Sequence, residues 1–259
     1  MRLIRILAVF IVIGASAAAS PLAAQDWYFT AAFGADWSGA TSFRDRDCAA
    51  TSPPALFGCG AGEDGDRPLG AYGDFGASSA MEVGLGAAFS AVRLEARLAY
   101  RPSLAFTGSA NFLNASRTQP VRGEVRSVAV AIAGALDLPG ADLGYSRLRP
   151  FVGASAGLAR HEVERVVFRF PALGGGARTE IPGGTNYPFT WTGTAGLAFE
   201  IDERITVDAA YRYGNLGEIE TEPGQARIVR RGVDTTIQID GTRAKLETHG
   251  FVAGLRIGL

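Results

Sequence analysis

The stretch from Trp191 to Leu216 constrains the fold most, because it contains two strand-length segments that each alternate apolar with polar or very small residues. Alternation with a period of two is typical of a β-strand whose two faces meet different surroundings. A short turn around Asp202 and Glu203 joins the segments, which predicts a β-hairpin. Each arm has about ten residues, the length that a tilted strand needs to cross ~25 Å of hydrocarbon. The pattern therefore predicts a strand pair of a transmembrane barrel, with lipid outside and charge inside.

Six further segments alternate in the same way, which brings the number of predicted strands to eight. They are Asp26–Ser38, Ser79–Phe89, Val92–Pro102, Glu124–Leu138, Leu148–Arg160 and Leu246–Leu259. An even number of strands allows closure with both termini on one side, and closure requires the strand of Trp27 to pair with that of Phe251. The fold class expected is all-β: an eight-stranded, antiparallel, up-and-down transmembrane β-barrel with long extracellular loops.

The connections between these strands alternate between long and short. The long connections are expected at Gly39–Ser78, Ser103–Gly123, a loop around Gly174–Gly176 and Asn215–Arg243. Long connections of such barrels face the exterior and short ones face the periplasm. Alternating stretches at Ile228–Arg230 and Val233–Ile239 indicate that strands continue beyond the membrane.

The first 24 residues predict a cleaved secretory signal. Two arginines precede a short apolar run, Ile6–Ile13, and a tail of small residues, Ala15–Ala24, follows it. The apolar run is well short of the ~18 to 20 residues of a transmembrane helix. We expect cleavage after Ala24, or alternatively near Ala19, which leaves residues 25–259 as one barrel domain. Sec-type export followed by insertion into the outer membrane of a Gram-negative cell is the expected route.

The parity of the strands places eleven charged side chains inside the barrel. They are Glu82, Arg93, Glu95, Arg97, Arg101, Asp137, Arg149, Glu200, Asp208, Arg212 and Arg256. An eight-stranded barrel is about wide enough to be filled by side chains, so paired networks that fill it are expected. A charged conduction path is the alternative interpretation.

Aromatic residues near the strand ends are typical of the girdles at the two membrane interfaces. The predicted girdle residues are Trp27, Trp37, Phe89, Tyr100, Trp191, Tyr211 and Tyr213. In the first long connection, Cys48 and Cys59 are predicted to form a disulfide, because an exported chain meets an oxidising compartment.

Four segments resemble the small outer-membrane β-barrel family, the opacity-protein-like surface antigens or "porin family" outer membrane proteins. They are Asp26–Phe29, Arg149–Ala154, Ala209–Tyr213 and Gly254–Leu259. The resemblance implies recognition of the terminal strand by the barrel assembly machinery. The family usually ends in Phe, whereas this chain ends in Leu259. No catalytic residue is implied.

Three functions remain open at this point. The first is a non-enzymatic surface barrel with a structural or binding role, adhesion-like or antigen-like, through its extracellular loops. The second is a narrow channel or carrier for small or hydrophobic solutes. The third, a lipid-modifying enzyme, needs a histidine with a serine or carboxylate at the outer rim, and the chain has only His161 and His249.

Several partners are not expected. The formal net charge of −1 gives no sign of nucleic-acid binding. Neither a metal-ligand cluster nor a phosphate loop is recognisable, so no cofactor and no metal is expected. The expected partner is outer-membrane lipid around a monomer, with the surface ligand unidentified.

Overall fold

The computed structural model describes residues 26–63, 65, 67–114, 117, 119–142 and 147–259. The predicted signal, residues 1–24, lies outside the described residues. Within the described ranges, no helix is long and apolar enough to cross a membrane.

The described residues form sixteen β-strands and one short 3₁₀ turn at Pro171–Leu173. The strands are β1 (Asp26–Ser38), β2 (Thr41–Asp45), β3 (Ala71–Asp74), β4 (Ala77–Phe89), β5 (Val92–Ala110), β6 (Pro120–Asp137), β7 (Ala141–Asp142), β8 (Arg147–Val163), β9 (Val166–Arg169), β10 (Arg178–Ile181), β11 (Gly184–Asn186), β12 (Phe189–Glu200), β13 (Ile205–Glu220), β14 (Gly224–Arg230), β15 (Val233–Ile239) and β16 (Thr242–Gly258).

Eight of these strands close into an antiparallel ring in the order β1, β4, β5, β6, β8, β12, β13, β16. The last strand pairs with the first, from Tyr28 opposite Gly258 to Ser38 opposite Thr248. Closure gives every strand of the ring two hydrogen-bonded neighbours, which backbone groups in hydrocarbon require. The predicted eight-stranded antiparallel barrel is therefore confirmed.

The outer face of the ring is an exposed apolar belt. In β1, Phe33 on this face is 57% exposed, whereas Asp36 on the other face is 0% exposed. The predicted girdle residues that lie exposed on the belt are Trp27, Trp37, Tyr100, Trp191, Tyr211 and Tyr213. Phe89 is half-buried. An apolar surface that surrounds the whole ring is the surface expected to face lipid.

The two ends of the ring differ in length. At the short-turn end lie Asp26 at the start of β1, Leu259 after β16, and the tight connections after β4 and β12. At the other end the strands continue past the belt, so we call it the extended end. β5 alone has 19 residues, or roughly 60 Å of extended chain, against an apolar band of ~25 Å. By the rule that long connections face outward, the extended end is the extracellular one.

The expected long connection at Ser103–Gly123 is largely wrong. β5 runs on to Ala110 and β6 begins at Pro120, so most of the expected connection belongs to these two strands. The predicted strand Val92–Pro102 ended at Pro102, a residue that has no N–H to donate. The structure instead accommodates it in a β-bulge, because the register with β6 shifts between Arg101 and Leu104.

The expected connection at Asn215–Arg243 is also mostly strand. β13 continues to Glu220 past a bulge, where Gly217 has a φ of +86°. β14 and β15 then form a hairpin, as the alternating stretches indicated. The loop predicted around Gly174–Gly176 is confirmed: it joins the paired strands β9 and β10, and all three glycines have a positive φ.

The extended end has an apolar interior of its own, which was not predicted. We call it the outer core. Its buried residues include Phe43, Phe57, Phe75, Leu104, Phe106, Val121, Val125, Val163, Val166, Phe168, Ile181, Leu216, Ile219, Ile239 and Leu246. The ring centroids of Phe43 and Phe106 are 4.9 Å apart in an edge-to-face contact. Segments expected to be loops are thus folded around a packed core.

Candidate functional site

A layer of buried side chains crosses the lumen just below the outer core. Each ring strand contributes one residue to it, and each of these residues is at most 6% exposed. This lumen layer consists of Asp36, Glu82, Arg101, Ser127, His161, Thr190, Arg212 and Thr248. Because all eight strands take part, the layer occupies the full circumference of the barrel interior.

Arg212 is the centre of the layer. Its Nη2 donates to both carboxylate oxygens of Asp36 at 2.8 Å, and its Nη1 donates to Glu82. Arg101 donates from Nε to Asp36 at 3.1 Å. Asp36 therefore connects two arginines from opposite parts of the ring.

Two further residues complete the charge balance beside this layer. Arg97 donates to Glu95 at 2.8 Å, and its Nη1 lies 3.4 Å from Glu82. Three arginines thus face three carboxylates: Arg97, Arg101 and Arg212 against Asp36, Glu82 and Glu95. A buried charge without a partner would cost several kcal/mol, so this balance contributes to the stability of the fold.

A second group of ion pairs lies closer to the short-turn end. Arg93 pairs with Asp137 at 2.7 Å, and Arg256 pairs with Asp208 at 2.8 Å. Between this group and Glu82 there is a cavity of about 80 Å³. The cavity has space for a few water molecules, and the lumen layer ends it on the extracellular side.

The eleven predicted interior charges all face the lumen and all take part in ion pairs, with Arg149 and Glu200 2.9 Å apart near the short-turn end. Asp36 also faces the lumen, and it was not among the predicted interior charges. The same parity that placed Glu82 inside also places Asp36 inside, so the signal was available.

His161 lies between the charged layer and the outer core. Its Nε2 is 2.8 Å from the carbonyl oxygen of Leu216, which the bulge in β13 leaves available, and its Nδ1 has no partner among the described residues. His249 lies on the outer face of β16, with its ring 6.3 Å from that of Trp37. His161 is therefore buried inside the barrel, whereas His249 faces outward at the edge of the belt. In the described part of the chain, no group of His, Cys, Asp and Glu is arranged to hold a metal ion.

The loop that contains both cysteines is fixed to the extended end. Cys48 and Cys59 form a disulfide. The carboxylate of Asp45 accepts hydrogen bonds from the backbone N–H groups of residues 56, 57 and 58 at 2.8–3.2 Å. Burial raises the pKa of the Asp45 carboxyl, and these donors oppose that shift. Arg46 pairs with Asp240 at 2.9 Å, which links the loop to the end of β15.

A small sheet of β9, β10, β14 and β15 projects at the extended end, and β15 is its edge. Within the described residues, β14 is the only strand that pairs with β15. Six of the seven residues of β15 are exposed, and Val233 is 63% exposed. A row of backbone groups along one side of this strand is therefore open to solvent.

Comparison with known proteins supports the fold. No known family profile and no curated protein matches the sequence. Among solved structures, the outer membrane protein OprG from Pseudomonas aeruginosa has a TM-score of 0.50 at 10% identity, over 91% of this chain and 96% of OprG. Neisserial surface protein A has a TM-score of 0.40 at 12% identity, over 90% and 97% of the two chains. The protease OmpT from Escherichia coli has a TM-score of 0.42 at 9% identity, over 90% and 97%.

At such identities the likeness to OprG concerns the fold alone. The resemblance to small outer-membrane β-barrels is confirmed at that level. The chain is a β-barrel of the outer-membrane type, with an apolar belt placed to contact lipid.

Proposed function

We propose that this protein is a non-conducting, non-enzymatic barrel of the outer membrane whose extended end binds other molecules at the cell surface. The observation that carries the proposal is the edge strand β15, which has exposed side chains on both faces and pairs, among the described strands, only with β14. Natural proteins usually protect such an edge with charge, proline or a covering segment. β15 has a single charged residue, Asp234, and no proline.

The chemistry of β15 favours recognition by strand addition. Its sequence, from Val233 to Ile239, is rich in β-branched residues. An extended peptide that adds to such an edge gains main-chain hydrogen bonds, and alternate side chains supply specificity. The outer core supports this interpretation, because it holds the sheet rigid before any partner binds and so lowers the entropy lost on binding.

A phage-displayed library of random peptides, selected on the protein in phosphatidylcholine nanodiscs, tests the proposal. We expect enrichment of β-prone peptides whose binding falls at least tenfold for Thr235→Lys/Ile237→Lys, because charges on an edge oppose strand addition. Gln225→Lys, an exposed position on the inner strand β14, is the matched control and should bind normally. Failure to enrich any peptide, or equal binding to the edge variant, would contradict the proposal.

The channel or carrier alternative has less support. The cavity near Arg93 ends at the lumen layer, and the outer core lies beyond it. A solute would have to displace both. Single-channel conductance of residues 25–259 in a planar bilayer distinguishes the two functions. We expect a folded, electrically silent barrel; discrete steps that change on neutralising Arg93 or Arg97 would favour the channel.

A further inference from the structure

A groove of about 440 Å³ lies on the outside of the barrel, just beyond the belt at the extended end. It forms where the pairing between β16 and the chain after β1 is interrupted. Ser38 pairs with Thr248, and regular pairing resumes only at Arg44 opposite Arg243. We call this the rim groove; the charged residues that line it are Arg44, Glu218, Arg243, Lys245 and Glu247.

The rim groove brings together three cations, Arg44, Arg243 and Lys245, and two carboxylates, Glu218 and Glu247. Arg44 and Arg243 lie directly opposite each other on adjacent strands, an arrangement that destabilises a sheet unless an anion is present. Lys245, the only lysine in the chain, is exposed two residues further along β16.

Carboxylates relieve this repulsion only in part. Glu218 lies 3.6 Å from Arg243 and is the acidic partner that the groove supplies to it. Glu247 accepts a hydrogen bond from the Tyr213 hydroxyl at 3.2 Å. Among the described residues, neither Arg44 nor Lys245 forms an ion pair: Arg44 contacts Ser42 and Tyr72, both uncharged.

The wall directly below the rim groove is aromatic and belongs to the belt. Continuing along the outer face of β16, Lys245 and Glu247 are followed by His249 and Phe251. The ring of Phe251 lies 6.3 Å from that of Trp37 and 5.6 Å from that of Tyr211, both in edge-to-face contacts. A cationic groove is thus continuous with an apolar surface on the same strands.

We infer that the rim groove binds the phosphate-bearing headgroup of an outer-leaflet lipid, whose acyl chains lie against the aromatic wall. The cations match phosphate charge, and a lipid, unlike a free anion, also covers the apolar wall below. Only a molecule that has both a phosphate and acyl chains matches both the rim groove and the aromatic wall. The inference depends on the belt lying in the outer membrane and not on the closed lumen or on β15, so the conductance and peptide experiments leave it unaffected.

The single lysine makes a direct test possible. The full mature chain is placed in phosphatidylcholine nanodiscs with or without lipid A, a phosphorylated and acylated glycolipid, and the rate at which an amine-reactive ester acylates Lys245 is read by peptide mass spectrometry. We expect lipid A to slow the reaction on the order of fivefold or more, as contact between one cation and an anionic lipid implies. Lipid A without its phosphates should slow it little.

Variants distinguish this site from general surface attraction. Arg44→Gln/Arg243→Gln should lose the protection, each variant being compared with its own rate in phosphatidylcholine alone. Arg126→Gln/Arg160→Gln removes two exposed arginines elsewhere on the rim, each already paired with a glutamate, and should keep it.

Three results would overturn the inference. Equal protection by dephosphorylated lipid A would show that the phosphate is not recognised. Full protection in Arg44→Gln/Arg243→Gln would show that the groove is not the site. Equal protection by inorganic phosphate without lipid A would reveal a free-anion site in place of a lipid site.

Discussion

The lumen layer is expected to tolerate the loss of a balanced pair of charges better than the loss of a single arginine. Arg212→Met leaves two arginines against three carboxylates in a region where Asp36 is 0% and Glu82 is 6% exposed. Removing one partner from a buried ion pair costs about 3–5 kcal/mol. Methionine fills the volume of the arginine stem, so the loss is chiefly one of charge.

The double variant Glu82→Gln/Arg212→Met restores the balance to two arginines against two carboxylates. The introduced glutamine amide would still present an oxygen to Arg97, so we expect a total loss of only about 1–2 kcal/mol. The double variant should then be more stable than Arg212→Met alone, which is a strongly non-additive result. Arg256→Met is the control: its pair with Asp208 is more exposed, at 13% and 19% of the two side chains, and should contribute about 1 kcal/mol.

Urea unfolding of the mature chain in phosphatidylcholine vesicles measures these differences. The three tryptophans all lie on the belt, so their fluorescence reports the transfer of the ring out of lipid. With a slope of about 2 kcal/mol per M, the midpoint for Arg212→Met should fall by roughly 2 M. If Arg212→Met and Arg256→Met are equally destabilised, or if the double variant loses the sum of its two single losses, the balanced-charge argument is refuted.

Three further predictions concern the extended end. Cys48→Ser/Cys59→Ser should lower stability by about 2–3 kcal/mol through the freer unfolded chain, and hydrogen exchange should quicken in residues 46–58 while the ring is unchanged. Phe106→Ala removes the ring that contacts Phe43 at 4.9 Å and Phe75 at 5.3 Å; it should cost about 3–5 kcal/mol and expose the extended end, but not the belt, to proteolysis. The Arg46 guanidinium holds the pKa of the Asp240 carboxyl below its usual range. The stability from this contact is therefore fully present above the pKa that the carboxyl has in the unfolded chain. It is lost as the pH falls through the lower pKa of the folded state. Exchange of residues 46–55, corrected for intrinsic rates, should therefore quicken on acidification, and Asp240→Asn should abolish that dependence.

The ring was predictable from sequence because one signal specifies both the strand and its facing. Along β1, Trp27, Phe29 and Phe33 alternate with Tyr28 and Thr30, and the exposure of these side chains follows the same alternation. A membrane strand of this kind needs no tertiary information to be recognised, because lipid surrounds the ring on all sides.

The outer core was not predictable in the same way. Its strands alternate with the same period of two, but their apolar residues face the interior and not the outside. In β5, Leu94 and Leu98 face lipid, whereas Leu104 and Phe106 face the interior. All four are even-numbered, so the sequence alone places them on one face. The parity reverses at the bulge between Arg101 and Leu104, which only the pairing with β6 reveals.

The bulges in β5 and β13 explain how one continuous sheet can be surrounded by lipid along one part of its length and by water along the other. A strand in lipid must turn its apolar side outward, and the same strand in water must turn it inward. One extra residue in a ladder exchanges the two faces of everything that follows it. β13 repeats the arrangement of β5: Tyr211 and Tyr213 face outward before its bulge, and Ile219 faces the outer core after it.

In β6, β8 and β16 the facing does not reverse, and the inward residues themselves change from small or polar to apolar. In β6, the inward-facing residues change from Ala129 and Ser127 to Val125 towards the extended end. In β16, they change from Thr248 to Leu246 in the same direction. The lumen layer lies where the polar interior of the belt meets the apolar outer core. Arg101 directly precedes the β5 bulge, and Arg212 lies three residues before the end of regular pairing in β13. The position of the lumen layer follows from this transition. Towards the short-turn end, the apolar side chains face lipid and the interior is polar. Towards the extended end, the polar side chains face water and the interior is apolar. A buried, charge-balanced layer can join such interiors without leaving a buried charge unpaired.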